Sequence, residues 1–228
     1  MATTSATSAP RKAQKAQKAH YHKGLSRDEI LEVALDVLRE GNLDSLTLAR
    51  VAQRLGVSAP AVYQYFPNKE ALLAAAAAAG FRQLIGIYQQ AGREQTELNG
   101  WIRARGRAFL QFALDEPALH QLMYRYRFAD RHAYPDLIEA EDACFATSVA
   151  RIGDGSGRRP QFRSPQSARD FPVSMTIWAA FHGLASIIAD GVDGHRRMPD
   201  KKTIEKLAAD VADVLTHKIQ VKLLPPED

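Results

Sequence analysis

A short polar set between residues 58 and 69 has the residue types that read duplex DNA. The segment is SAPAVYQYFPNK, and its low charge argues against an ordinary solvated helix face. In a major groove, Gln64 could form a bidentate contact with adenine, and Ala59 and Ala61 could meet a thymine methyl group. Tyrosine and lysine side chains beside such a surface reach phosphates. The residues assigned to this surface are Ser58, Ala59, Pro60, Ala61, Tyr63, Gln64, Tyr65 and Lys69. The competing interpretation is that the tyrosines only pack the helix against its neighbours.

Two helices joined by a tight glycine turn would position this set. Thr47 predicts the start of the first helix, because its hydroxyl can cap the segment LARVAQRL. Gly56 then supplies the left-handed backbone that a tight turn needs. Ser58 can cap the second helix, in which Pro60 is tolerated in the first turn. The sequence therefore predicts a helix-turn-helix.

The second helix of this pair has one apolar face. Val62 and Phe66 lie four residues apart and face the core, which leaves the polar set on the outer side. Pro67 is expected to end the helix, and Asn68 to cap a fourth one that runs through KEALLAAAAAAGFRQLIGIYQQ. A first helix precedes the pair, in the segment SRDEILEVALDVLREG.

The rest of the chain also has helical patterns, and no segment alternates like a strand. Two longer apolar helices close the chain, one from Pro172 to about Asp190 and one with an apolar stripe from Ile204 to Ile219. The fold class is therefore all-α, with an N-terminal three-helix domain that contains the helix-turn-helix, followed by a larger helical ligand-binding and dimerisation domain. Two copies of the last helix pair could bury their apolar surfaces in a four-helix interface, which implies a homodimer.

Composition divides the chain into three parts. Residues 1–24 are small and polar and cannot offset the entropy of ordering, so they predict a disordered basic arm. Residues 25–70 form the expected DNA-binding domain, and residues 71–228 the expected effector-binding and dimerisation domain. Within the latter, residues 153–170 are rich in Gly, Ser, Pro and Arg and predict a loop.

The distribution of charge indicates a polyanionic partner. The formal net charge of the 228 residues is +4. Ten of the 30 basic residues and six of the 26 acidic ones lie in residues 1–69, so the remainder holds twenty of each. The excess is thus N-terminal, where it would attract a polyanion.

Other protein classes find little support. No apolar run approaches the roughly 20 residues that span a bilayer, and the first 20 residues lack the apolar centre of a secretory signal. The single cysteine, Cys144, excludes an internal disulfide and fits a reducing compartment, either as ordinary packing or as a redox sensor. We therefore expect a cytoplasmic protein without a membrane partner, a metal or a cofactor.

The helix-turn-helix segment resembles a known family. LTLARVAQRLGVSAPAVYQYFPNKEALL is similar to the N-terminal domain of TetR-family transcriptional regulators, and the resemblance covers residues 26–73. It implies a dimeric, all-helical regulator whose C-terminal domain binds a small effector. By position, Thr47 resembles the family's phosphate-contacting helix cap, and residues 58–64 its recognition helix. Tyr65 and Lys69 resemble its contacts with the DNA backbone.

Two C-terminal segments carry a second resemblance. WAAFHG, from Trp178 to Gly183, resembles the Trp, His and Gly signature of one subgroup of TetR C-terminal domains, and DEPALHQLMY is similar to another segment of that subgroup. A small apolar or aromatic effector would be bound among side chains on these helices. The residues assigned to that site are Phe109, Phe112, Met123, Tyr124, Trp178 and His182. The same residues could equally form an ordinary core.

The expected function is that of a dimeric, sequence-specific DNA-binding transcriptional regulator. Its simplest form is a repressor that a small effector releases from a palindromic operator. Lys15, Lys18 and Lys23 of the basic arm could follow a minor groove beside the helix-turn-helix, or the arm could be only a solubilising tail. One alternative to the regulator is an architectural protein that binds DNA without sequence preference, which the basic arm permits. The other is an all-helical enzyme, for which we find no catalytic motif; GDGSG, within the predicted loop, is a weak phosphate-binding pattern.

Overall fold

Helices make up all the regular structure in the described part of the chain, which confirms the all-α prediction. The computed structural model describes residues 25–149, 172–190 and 200–218. Its helices are α1 (Arg27–Glu40), α2 (Leu48–Leu55), α3 (Ala59–Tyr63), α4 (Lys69–Gln90), α5 (Leu98–Asp115), α6 (Pro117–Arg125), α7 (Pro135–Val149), α8 (Pro172–Asp190) and α9 (Lys201–Lys218). Short 3-10 turns lie at Leu43–Ser45 and Arg131–Ala133. The predicted basic arm and the predicted loop at 153–170 lie outside the described residues.

The first three helices share one small core. Polar side chains fix the helix starts: the Ser26 hydroxyl accepts a hydrogen bond from the Glu29 amide at 3.1 Å, and that of Thr47 accepts one from the Arg50 amide at 3.1 Å. The apolar faces of the three helices then meet. The residues in this core are Ile30, Ala34, Val37, Leu38, Leu46, Leu48, Val51, Ala52, Val62 and Phe66, none of them more than 4% exposed.

The turn between α2 and α3 has the predicted geometry, but α3 is shorter than expected. Gly56 adopts φ 68° and ψ 26°, the left-handed conformation that glycine accommodates without strain. Helix α3 ends at Tyr63 rather than at Pro67. The amides of Tyr65 and Phe66 both bond to the Val62 carbonyl at 3.0 Å, three and four residues back, so a tighter turn is mixed with the α-helical one where the helix ends. Phe66, the residue before Pro67, is disfavoured in helical conformation.

Helix α4 connects the DNA-binding fold to the rest of the molecule. Its start is capped by Asn68, whose side-chain oxygen accepts a hydrogen bond from the Ala71 amide at 2.8 Å, as predicted. Along its length it packs against α1 and also against α5, α6 and α7. The predicted domain boundary after residue 70 therefore falls within its first turn.

The same helix corrects one expectation about apolar runs. At 22 residues and a mean hydropathy of 1.4, α4 is long and apolar enough to span a bilayer, whereas the sequence was expected to contain no such segment. However, 61% of the apolar window is buried inside the protein. Its hydropathy is accounted for by contacts with neighbouring helices, as in the core helix of a globular protein.

The last two helices cover α5. Both α8 and α9 pack against α5, and α9 does so along much of its length. The buried residues of α9 are Ile204, Ala208 and Ala212, whereas Ile219, at the end of the predicted stripe, lies outside the described residues. Apolar side chains also remain on the outside of this pair, at Met175, Ile187 and Val214.

Candidate functional site

The outer side of the helix-turn-helix presents most of the predicted DNA-reading residues to solvent. Tyr63 is 51% exposed and Tyr65 is 37% exposed. Gln64 lies in the turn directly after α3, not within the helix. Pro60 is also exposed, as are Ser58 and Lys69. These exposed side chains lie on α3, beside its two ends and at the start of α4.

Four predicted roles in this surface need qualification. Ala59 and Ala61 are partly buried, and Ala59 packs against the core. Only part of each methyl group is therefore accessible to a thymine methyl. The predicted cap at Ser58 is wrong, because its side chain makes no capping hydrogen bond to α3. The Tyr65 hydroxyl donates a hydrogen bond to the Leu25 carbonyl. Tyr65 therefore ties the chain just before α1 to the end of the helix-turn-helix.

Two of the predicted residues lie at helix N-termini, where anions are favoured. Thr47 caps α2, and Lys69 is the first residue of α4. Both helix starts expose amide groups and the positive end of the helix dipole, which attract phosphate. Lys69 adds a full positive charge at the same place.

The second candidate site lies among α4, α5, α6, α7 and α8. Three adjoining cavities of about 40, 260 and 410 Å³ occur there. All three are lined by Trp178 and His182. The structure thus brings the two residues of the predicted Trp and His signature to the junction of the cavities.

His182 sits within a cluster of rings. Its imidazole stacks on Trp178 at a centroid distance of 4.0 Å, and lies 4.3 Å from the ring of Tyr124 and 4.4 Å from that of Phe109. Burial, reinforced by the nearby His120, lowers the pKa of His182 to about 3. His182 is therefore neutral at physiological pH, and its side chain adds no charge to the cavity walls.

The other predicted ligand residues divide between cavity wall and core. Phe109 lines the smallest cavity, and Met123 and Tyr124 line the largest. Phe112 is 3% exposed but lines none of the three cavities. His120 was not predicted, although it is 4% exposed, lines the largest cavity and lies 5.1 Å from the Tyr124 ring. Its position four residues before Tyr124 places both on one face of α6, and this spacing could have identified it.

Arg105 is a second buried polar residue that sequence reasoning missed. Its guanidinium donates one hydrogen bond to the Tyr88 carbonyl at 3.0 Å and another to the Thr147 carbonyl at 2.7 Å. It also lies over the rings of Tyr88 and Trp101, at 4.5 and 4.6 Å. The two carbonyls belong to the last turns of α4 and α7, where helices lack internal partners and favour cations. Arg105 thus joins the C-terminal ends of two helices beside the smallest cavity.

Several polar contacts link the cavity region to the DNA-binding domain. Glu70, in the first turn of α4, accepts hydrogen bonds from the Ala129 amide at 2.8 Å and from the Tyr134 hydroxyl at 3.3 Å. Arg39 on α1 forms an ion pair with Glu116 at the start of α6, at 2.9 Å. These contacts therefore couple the positions of α6 and the loop after it to those of α1 and α4.

The described residues show neither a metal cluster nor a reactive thiol. No group of three or more His, Cys, Asp or Glu within them could hold a metal ion. Cys144 is buried, and burial raises the pKa of its thiol to about 12. A protonated, buried thiol favours packing over the redox-sensor interpretation.

Protein-family models match an N-terminal and a C-terminal segment of the chain and assign both to one family. The model for "Bacterial regulatory proteins, tetR family" matches residues 30–76, and the model for "Tetracyclin repressor-like, C-terminal domain" matches residues 102–213. The chain therefore belongs to the TetR family, with a TetR-type helix-turn-helix domain and a tetracycline-repressor-like C-terminal domain.

Individual relatives are similar over different lengths. Tetracycline repressor protein class C of Escherichia coli is 46% identical over 55 residues, which is 24% of this chain and 25% of that protein. The chain thus matches about a quarter of the length of such repressors. An HTH-type transcriptional regulator of Mycobacterium tuberculosis is 24% identical over 197 residues, 75% of this chain and 84% of that one.

Solved structures share the fold over most of the chain. A protein of unknown function from Rhodococcus sp. RHA1 superposes with a TM-score of 0.62 and 26% identity, over 88% of this chain and 98% of that one. A TetR-family transcriptional regulator from Streptomyces coelicolor gives a TM-score of 0.59 and 20% identity, over 84% and 80% of the two chains.

Proposed function

We propose that this protein is a dimeric, sequence-specific DNA-binding repressor that a small effector releases from a palindromic operator. The observation that carries the proposal is the pairing of an exposed, weakly charged α3 surface with cavities in a separate helical domain. A protein that only bound DNA would not need a ring-lined cavity joined to its DNA-binding helices. A regulator of this kind acts in the cytoplasm, where the DNA is.

In this proposal the helix-turn-helix reads the major groove. Gln64 and the residues around Tyr63 contact base edges, while Thr47 and Lys69 hold phosphates at two helix N-termini. Tyr65, through its hydrogen bond to Leu25, keeps the region before α1 close to this surface. Residues 1–24 add positive charge and salt-dependent affinity.

The apolar surfaces of α8 and α9 are the proposed dimer interface. Ile187 is 53% exposed and Val214 is 70% exposed, so both present apolar surface that a partner could bury. A second copy of the same helix pair would cover them in a four-helix arrangement. The dimer would present two α3 helices about one DNA turn, roughly 34 Å, apart.

Release follows from coupling between the cavities and the DNA-binding domain. The effector contacts Trp178 and His182, and the cavity wall continues through the loop that is hydrogen-bonded to Glu70. A ligand that binds better to the arrangement with the wrong helix spacing shifts the dimer towards that arrangement. The resemblance of the segment from Trp178 to Gly183 to the Trp, His and Gly signature is the basis for including that subgroup's C-terminal domain in the proposal.

Selection of sequences from a random duplex pool at near-physiological salt tests the proposal. A sequence-specific dimer is expected to enrich a palindrome whose half-site centres are about one helical turn apart. An architectural DNA-binding protein would retain DNA equally well at low salt without enriching any sequence. Failure to enrich a sequence while binding random DNA would therefore overturn the proposal in favour of that alternative.

A further inference from the structure

We propose that the effector site takes an anionic amphiphile, a ligand with an aromatic or acyl body and one carboxylate or similar group. The body lies against Trp178, Tyr124 and His182, and the anion lies among arginines at the end of α6 and in the loop after it. The name "effector" rests on the proposed function, whereas the binding preference itself does not. The sequence-based expectation was a small apolar or aromatic ligand, with no charge specified.

The inner cavity, of about 260 Å³, is apolar and largely neutral. Aromatic rings dominate its wall, including those of Phe81 and Phe145. Burial raises the pKa of Tyr88 and Tyr124 and lowers that of His182, so these polar groups stay uncharged at physiological pH. Such a wall favours a hydrophobic or aromatic group and would repel an unpaired charge.

The outer cavity, of about 410 Å³, has the opposite character. It shares Tyr124, Trp178 and His182 with the inner cavity, so the two adjoin at these side chains. Three arginines line it, namely Arg125, Arg127 and Arg131, and Glu141 is the only carboxylate among its described lining residues. Glu141, which also lines the inner cavity, is ion-paired with Arg131. Among the described lining residues, formal positive charges therefore outnumber negative ones by two where the ligand's polar end would emerge.

Two acidic side chains that contact this loop or belong to it, Glu70 and Asp130, already accept hydrogen bonds. Glu70 accepts hydrogen bonds from the Ala129 amide and the Tyr134 hydroxyl. Asp130 accepts one from the His132 amide at 2.9 Å. Neither lines the outer cavity, and no described carboxylate forms an ion pair with Arg127. Arg127 is therefore the arginine best placed to meet a ligand anion.

The dimensions fit one small molecule that occupies both cavities. Small-molecule sites usually measure roughly 300–1,000 Å³, and the two adjoining cavities taken together fall within that range. A carboxylate accepts charge-assisted hydrogen bonds from a guanidinium, which an amide of the same shape cannot match. The position of the anion at the exposed end also keeps it partly hydrated, which lowers the cost of binding it.

Calorimetric titration with matched acid and amide probes tests the inference. The probes are naphthylacetate, phenylacetate and octanoate, each beside its neutral amide. The full-length protein is expected to bind at least one acid about tenfold more tightly than its amide, since one charge-assisted contact is of that order. Trp178 lines both cavities, so its fluorescence should respond to the same titration.

Two variants assign that preference to the outer cavity. Arg127→Gln is expected to reduce the acid-to-amide ratio to about threefold or less, whereas Arg93→Gln should keep it. Arg93 is exposed and lines neither cavity, so it serves as the matched control. Thermal melting of both variants establishes that each remains folded.

Three results would overturn the inference. The amides could bind as tightly as the acids, the preference for acids could survive in Arg127→Gln, or no probe could bind at millimolar concentration. Selection of DNA sequences is independent of all three. If the protein prefers acids but selects no operator, the anion-binding site is supported and the proposed function is refuted. If it selects an operator but shows no preference for acids, the proposed function is supported and the anion-binding site is refuted.

Discussion

Arg105 offers the most direct test of how the effector domain is held together. Replacing it by methionine keeps the length of the side chain but removes both hydrogen bonds to the carbonyls of Tyr88 and Thr147. A buried acceptor left without a partner costs about 1–3 kcal/mol, and loss of the cation over the Tyr88 and Trp101 rings costs about 0.5–2 kcal/mol. Removing a buried charge regains part of its desolvation cost. The expected net loss is about 3 kcal/mol, or about 6–12 °C in Tm for a chain of this size.

The measurement is urea unfolding followed by circular dichroism, at a fixed protomer concentration because dimerisation would contribute to stability. Arg103→Met is the control, since Arg103 lies on the same helix but is exposed. It is expected to change the free energy of unfolding by less than about 0.5 kcal/mol. If Arg105→Met were as stable as Arg103→Met, the assignment of Arg105 as the link between the ends of α4 and α7 would be refuted.

Three further predictions concern packing, the domain contact and pH. Gly106→Ala should destabilise the protein by about 1–3 kcal/mol, because a methyl there would lie 2.0 Å from ring carbons of Phe181; an unchanged melting curve would contradict the packing of α5 against α8. Glu116→Gln should cost only about 0.5–1 kcal/mol in urea unfolding, since its partner Arg39 is 43% exposed, and a larger loss would mean that the ion pair is not its main role. The pKa of His182 is about 3 in the folded state and near 6.5 when unfolded, so the unfolded chain binds more protons between these values. The contribution of His182 to the free energy of unfolding should be present above about pH 6.5 and fall as the pH is lowered, by about 2 kcal/mol at pH 5. If a His182→Gln variant lost the same stability between these pH values, the histidine would be excluded as the source.

The helix-turn-helix could be predicted because its signals are local. Thr47 and Asn68 each form the expected cap, and Gly56 has the left-handed conformation that its position required. These features depend on residues three or four apart in the chain, so one sequence suffices to find them. The early end of α3 was not predicted, because an α-helical turn and a tighter turn before Pro67 differ little in free energy.

The effector region was only partly predictable because its contacts are distant in sequence. Trp178 and His182 were selected from a short signature, and the structure brings them to three cavities. Phe112 was selected with them, yet it faces the core, because helical spacing alone does not tell which neighbour a buried face meets. The sequence does not distinguish Arg105 from the exposed arginines of α5, Arg103 and Arg107. Its burial depends on carbonyls at the ends of two other helices, 17 and 42 residues away.

The central claim is that the surface around α3 reads DNA sequence, and one pair of variants tests it most directly. Once a selected operator is available, Gln64→Ala and the control Gln90→Ala would be titrated with that operator and with random-sequence duplex at the same salt concentration. Gln90 is exposed at the opposite end of α4 from the DNA-binding domain. Loss of a bidentate base contact should weaken operator binding by Gln64→Ala by about 1–3 kcal/mol, leaving its affinity for random DNA and both affinities of Gln90→Ala unchanged. Equal operator binding by Gln64→Ala and the wild type would contradict the assignment of this residue to base recognition.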